Sequence, residues 1–248
     1  MLTLNDIAAT YPGEQTPAIA GVDLTVAPGE LVVVLGRSGC GKSTLLKVIA
    51  GYLPASRGQV LLDEQPIVGP SWERGVVFQN ASLYPWLDVE QNLAFGLRMR
   101  HQAQALQASR IELALHQIGL INQRHARVAS LSGGMKQRVA LARVLVNQPR
   151  LALLDESFGA LDAFTRQEMH QVILQLWQAT HTAFFIITHD IDEALKLGQK
   201  IAVMAGRPGT IRHVIANPYF AQSRSAQGYP EFRQQLLEAL DSRTNIHR

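Results

Sequence analysis

The sequence predicts an α/β fold: a parallel-sheet core flanked by helices, joined to a small antiparallel β layer and a helical insertion. Three observations carry that prediction. Short, almost wholly apolar runs recur, as in LVVVLG (Leu31–Gly36), LALLD (Leu151–Asp155), FFIIT (Phe184–Thr188) and IAVM (Ile201–Met204). Strands covered on both faces lack polar alternation, as in a parallel sheet between helices. Helical segments separate these runs, at Lys42–Ala50 and Thr165–Ala179. The early stretches LTLNDIAATYP and GVDLTVAPGE instead alternate in part and end in turn residues, as antiparallel strands do.

In chain order, the β layer comes first and leads into the apolar strand Leu31–Gly36, a Gly-rich loop and the helix Lys42–Ala50. From about Leu87 to Val146 the pattern is helical, with Ile111, Ala114, Leu115 and Ile118 repeating at i, i+3, i+4 and i+7. Past Gly206 the pattern fades through RPGTIRHVIANPYFAQ, before a short helix-like stretch near Phe232–Leu240. No internal repeat or low-complexity tract is visible. The expected organisation is a single domain over 1–248: residues 1–86 and 147–210 form the β layer and the core, about 87–146 a helical subdomain, and 211–248 a short tail.

Composition narrows the function classes. A chain of 248 residues can bury a sizeable core. Its net charge of +3 is too weak to argue for nucleic acid. No apolar run approaches the roughly 18–20 residues of a membrane span. The start, MLTLNDIAAT, has neither a charged n-region nor a long apolar h-region, so no secretory signal is expected. The single cysteine, Cys40, excludes an internal disulfide and fits a reducing cytosol.

The motifs carry the chemistry. Gly36, Arg37, Ser38, Gly39, Cys40, Gly41, Lys42 and Ser43, followed by Thr44, match G-x-x-x-x-G-K-[ST] between an apolar strand and a helix. This is a phosphate-binding loop. Its glycines let backbone N–H groups approach phosphate oxygens, Lys42 reaches the terminal phosphates, and the Ser43 hydroxyl can ligate Mg²⁺. Cys40 reads as a small residue filling a tight loop, with bound nucleotide expected to shield its thiol from alkylation. LALLDE ends a buried strand in two carboxylates. Asp155 is placed to hold Mg²⁺ through water beside Ser43, and Glu156 to polarise an attacking water. Gln79 in GVVFQN and His189 in FFIITHD each follow a strand, where side chains face the ligand crevice of an open parallel sheet. Gln79 is a candidate for the metal or the water, and His189 for the γ-phosphate.

A second anion cradle lies far downstream. In LSGGMKQRVA, Ser132 is a natural N-cap, Gly133 and Gly134 expose backbone N–H groups, and Lys136 and Arg138 add positive charge.

Taken in order, these residues resemble the nucleotide-binding subunits of ABC transporters. The likeness comprises the Walker A loop (Gly36–Ser43), the Q-loop glutamine (Gln79), the signature (Leu131–Gln137), Walker B with its glutamate (Asp155, Glu156), the D-loop GALD (Gly159–Asp162) and the switch histidine (His189). It runs from the N-terminus to about Gly209. The resemblance implies a P-loop NTPase (RecA-like) core, with ATP and Mg²⁺ as ligands and ATP hydrolysis as the activity. It also implies a head-to-tail homodimer in which Ser132, Gly133 and Gly134 of one subunit contact the γ-phosphate held by the other. Two further partners follow from it: a pair of transmembrane permease subunits and, indirectly, a solute-binding protein. The implied location is peripheral, at the cytoplasmic face of the membrane. Tyr11 falls where the family places an aromatic that stacks on adenine, with packing inside the β layer as the other reading. The apolar and aromatic run Leu83–Leu87 falls where the family receives a permease coupling helix, or else packs the helical subdomain.

The segments ERGVVFQNASLYPWLDVEQNLAFGL, LDESFGALDAFTRQEMHQVILQLW, ITHDIDEA and GRPGTI are similar to importer subunits of the taurine, alkanesulfonate and nitrate group. An exporter ATPase and a soluble ABC ATPase remain as alternatives. Two departures stand out. Met135 replaces a common Gln, and Ser157 a common Pro.

Overall fold

The computed structural model describes residues 1–156, 159, 161–222 and 227–241. The chain divides into two compact units, Met1–Gly69 with Phe185–Arg248, and Pro70–Phe184.

The first unit holds strands β1 (Leu2–Ala9), β2 (Ile19–Val26) and β3 (Leu31–Gly36), helix α1 (Lys42–Ala50), and strands β4 (Arg57–Leu62) and β5 (Gln65–Pro66). The order β2-β1-β4-β5 forms a wholly antiparallel sheet, the predicted β layer. Leu2, Leu4, Ile7, Val22 and Val26 fill its inner face. The alternation of β1 breaks because its register shifts between Leu4 and Ile7, where Asp6 takes a positive φ of 47°. Opposite the break, Gly58 has φ 82°, and a Cβ there would strike the carbonyl oxygens of Asn5 and Asp6. Only glycine fits this bulge.

The second unit contains β6 (Arg74–Val77), α2 (Val89–Met99), α3 (Gln104–Gln117), α4 (Gly133–Leu145), β7 (Leu151–Asp155) and α5 (Ala163–Thr180). Strands β6 and β7 are parallel, with Arg74 opposite Leu151 and Val77 opposite Leu154. A capping box starts α2: Asp88 accepts the Gln91 N–H and the Gln91 side chain accepts the Asp88 N–H. Asp162 caps α5 through the N–H groups of Phe164 and Thr165, so this helix begins two residues before the hydrophobic pattern does.

Strand β8 (Ala183–Thr188) crosses the division between units, and α6 (Ile191–Leu197), β9 (Lys200–Ala205), β10 (Thr210–Ala216) and α7 (Tyr229–Asp241) return to the first. There the sheet order is β10-β9-β3-β8, with β3 parallel to β9 and β10 antiparallel to it. Every residue of β3 and β8 is buried, which is why both read as unbroken apolar runs. Strand β10 lies in the stretch where the sequence pattern faded. Its residues are mostly part-exposed or exposed, and its register with β9, rather than any apolar periodicity, makes it a strand.

Candidate functional site

In the first unit, buried β3 delivers the chain to a tight loop at Gly36 and α1 takes it up at Lys42. Gly41 occupies the N-cap at φ 97°, and has no side chain with which to cap the helix. A Cβ at Gly41 would lie 2.5 Å from Ile19 Cγ2 and 3.1 Å from the Ala18 carbonyl oxygen; one at Gly36 would lie 2.5 Å from the Met204 carbonyl oxygen. Gly41 is fixed by close approach as well as by conformation, Gly36 by close approach alone. Lys42 is only 4% exposed, and its ammonium donates to the Gly36 carbonyl (2.8 Å) and the Arg37 carbonyl (3.2 Å). The cation therefore hangs over the loop itself. A helix start that lacks a side-chain cap and carries a lysine suits a polyphosphate.

Arg37, Ser38 and Gly39 form the exposed rim of the loop, and Ser43 is half-buried. Cys40 is buried, and its Sγ stands 2.7 Å from where a Gly36 Cβ would be. It fills the floor of the loop. Tyr11 reaches α1 through its hydroxyl, 3.2 Å from Thr44 Oγ1, and accepts a bond from Lys47 Nζ at 3.3 Å. The same ammonium stands 5.3 Å from the Tyr11 ring centroid, so the ring is held at the helix that carries Lys42. His189 is exposed, one residue beyond β8 and one before Asp190, the N-cap of α6.

In the second unit, Asp155 ends β7 and Glu156 follows at φ 40°, a left-handed conformation that costs a non-glycine residue free energy. Such strain gathers at functional sites, where surrounding structure imposes it. Gln79 lies exposed two residues beyond β6. Ser132 caps α4, its Oγ accepting the Met135 N–H at 3.3 Å. Position 135 thus serves the cap through its backbone, and Met in place of Gln leaves the cap intact. Gly133 is exposed, whereas Gly134 is buried with Thr165 Cγ2 where its Cβ would be. Ser157 lies outside the described residues, as does Ala160 of the D-loop.

Several residues that hold this machinery carry no motif of their own. Gln137 Nε2 donates to the Gln79 carbonyl (2.7 Å), tying the signature helix to the Q-loop backbone. Arg143, six residues on, donates to the Ser82 carbonyl (2.9 Å) and stacks over Tyr84 at 5.1 Å. Burial lowers the pKa of this guanidinium from its ordinary value. Fully buried Asn92 accepts the Tyr84 N–H and donates to the Tyr84, Leu87 and Asp88 carbonyls. Trp86 stays 74% exposed on this pinned segment. A buried polar residue among apolar helix positions was the available signal for Asn92 and Gln137; their partners were not legible.

A sequence model of the ABC transporter family matches residues 19–159. The chain belongs to that family. Among curated ABC relatives, it is 47% identical to the taurine import ATP-binding protein TauB of Pseudomonas fluorescens (strain Pf0-1) over 211 residues, covering 85% of this chain and 80% of the relative. The protein of the same name from Yersinia pestis bv. Antiqua (strain Antiqua) is 46% identical over 211 residues, with 85% and 82% covered. Two solved ABC structures resemble the fold. One is cbiO1 of Clostridium perfringens, part of the transporter complex cbiONQ, with TM-score 0.81, 27% identity and 97% and 95% of the two chains covered. The other is a dimeric post-hydrolysis ATP-binding cassette bound to ADP and Pi, with TM-score 0.75, 27% identity, and 87% and 98% covered. The α/β architecture is that of an ABC ATPase with a P-loop NTPase core.

Proposed function

We propose that this ABC ATPase is the ATP-hydrolysing subunit of an importer for a small anionic solute, taurine or a related sulfonate. The observation that carries the solute is the 46–47% identity to taurine import ATP-binding proteins over 85% of the chain. No residue here touches the solute in this reading. The whole chain acts as one ATPase domain, with a helical subdomain over about 87–146 bearing the signature.

The residues fit nucleotide and metal. The capless start of α1, with glycines whose Cβ atoms would collide and a lysine over the loop, is a polyphosphate cradle. Ser43, Gln79 and Asp155 offer hydroxyl, amide and carboxylate oxygens, a hard donor set suited to Mg²⁺. Mg²⁺ is commonly held by one or two carboxylates together with substrate phosphates, so one carboxylate suffices. When bound, the metal neutralises charge developing on the β- and γ-phosphate oxygens.

In this reading, Lys42 and the loop N–H groups of Gly36–Thr44 bind the phosphates, and Tyr11 stacks on adenine. Glu156 takes a proton from the attacking water, Gln79 orients that water, and His189 holds the γ-phosphate. Ser132, Gly133 and Gly134 contact the γ-phosphate of the nucleotide carried by a second copy, docked head to tail. A capped helix start with one exposed glycine supports that role. Two permease subunits receive the motion, and a solute-binding protein delivers cargo to them. Among the described residues no helix is long and apolar enough to cross a membrane, which fits a peripheral subunit at the cytoplasmic face.

The test is ATP turnover in reconstituted membranes with the permease and binding protein. Taurine-loaded binding protein should stimulate turnover several-fold. Stimulation by another sulfonate or by nitrate alone would reassign the solute. Stimulation without any binding protein would make the system an exporter.

A further inference from the structure

The C-terminal segment packs against α6, the short helix that follows His189. His189 stands between two hydrogen-bonded neighbours: Thr188 Oγ1 accepts the Asp190 N–H (3.0 Å) and donates to Glu193 Oε2 (2.9 Å). Asp190 in turn caps α6, accepting the N–H groups of Asp192 (2.8 Å) and Glu193 (3.2 Å). The direction of α6 and the placement of His189 are therefore linked through two residues of backbone. A seven-residue helix cannot hold its own position, so its partners decide where it points.

Helix α6 packs on β3 with most of its residues buried, and the tail adds polar ties at both of its ends. Asn217, buried, donates from Nδ2 to the Leu195 carbonyl (2.8 Å) and the Gly198 carbonyl (2.6 Å), closing the far end of α6. Ala221 N–H donates to the Lys196 carbonyl at 3.3 Å. At the near end, Arg233 Nε of α7 donates to Asp192 Oδ1 (3.0 Å), within the first turn of α6. Helix α7 is itself anchored by fully buried Leu236 and by the Tyr219 ring, 5.5 Å from Phe232 and 5.7 Å from Tyr229. The Arg233–Asp192 pair is partly exposed, so it adds little to stability.

We propose that Arg233 is a positioning residue for His189: the α7 guanidinium holds Asp192, and through it the first turn of α6, so that the imidazole is aimed. This rests on the reading of His189 as the γ-phosphate contact. The tail that the sequence leaves as a short remnant is on this account part of the hydrolytic apparatus.

The experiment uses the full chain with Arg233→Ala, Arg233→Lys and His189→Gln. Arg233→Ala should lower kcat by roughly 10-fold, short of the roughly 100-fold that a misplacement of about 1 Å at the reacting centre can cost. KM for ATP should change by less than about twofold, since binding is untouched. The melting temperature should move by under about 3 °C. Arg233→Lys, which can still pair with Asp192, should recover most of the turnover. A second readout is the His189 imidazole resonance, assigned by its loss in His189→Gln; it should shift in Arg233→Ala and return towards its place in Arg233→Lys. An unmoved resonance, or unchanged kcat, in Arg233→Ala overturns the positioning role even where His189→Gln is inactive. A moved resonance with His189→Gln fully active instead removes the premise, and faults the role given to His189.

Discussion

The two signature glycines have the same name but different duties. Gly134 is buried against α5, where Thr165 Cγ2 occupies the space of a Cβ. Gly133 has only Leu161 Cδ2 at 3.6 Å, ordinary contact distance. Packing thus demands glycine at 134 and does not at 133, where the proposed phosphate contact would supply a reason for glycine. Gly134→Ala should destabilise the protein by about 1–3 kcal/mol through overpacking. Gly133→Ala should leave the melting temperature unchanged or slightly raised, because alanine is the better helix former, yet cut ATP turnover sharply. Thermal melts and turnover measured side by side check both; full turnover in Gly133→Ala would count against the phosphate role. The motif glycines were legible as a pair in the sequence. Their division of labour was not, because Thr165 stands some thirty positions downstream, on another helix.

Individual helices show how local chemistry and distant partners divide the work. Lys42–Ala50 is read to the residue, since a buried strand, a glycine turn and an apolar face all agree. The start of α5 was set two residues early by the Asp162 cap, a side-chain bond that apolar periodicity does not see. Strand β10 was invisible because its identity lies in pairing with β9. In the second unit, Arg124 ties α2 to α3, donating to Glu90 at 2.7 Å and to Glu112 at 2.6 Å. The hydrogen bond from Arg124 holds the Glu90 carboxyl below its ordinary pKa of 4.5. A depressed folded value means the contribution is present above pH 4.5 and lost as pH falls through the folded value. Arg124→Ala should therefore cost about 1 kcal/mol at neutral pH. It should also flatten the acid limb of the stability curve, as denaturant titrations between pH 5 and 3 would show. Equal acid limbs in both proteins would refute the pairing.

Across the molecule, the decisive feature is that an anion-ready helix start occurs in each compact unit. If each nucleotide is shared between copies, turnover per subunit should fall steeply on dilution. Glu156→Gln, with ATP and Mg²⁺, should sediment as a long-lived dimer while hydrolysing at least about 100-fold more slowly. Turnover independent of concentration, or a monomeric Glu156→Gln, would break the shared-site reading.

Family, fold class and the order of the motifs were legible in the residues themselves, because each motif is a short contiguous stretch whose backbone geometry is dictated by its own glycines, caps and apolar neighbours. Folding alone settled which side chains steady them. Gln137 finds the Gln79 carbonyl 58 positions away, and Arg233 finds Asp192 across 41. A hydrogen bond across such a span leaves no periodicity in the chain; it exists only once packing has brought donor and acceptor to within 3 Å.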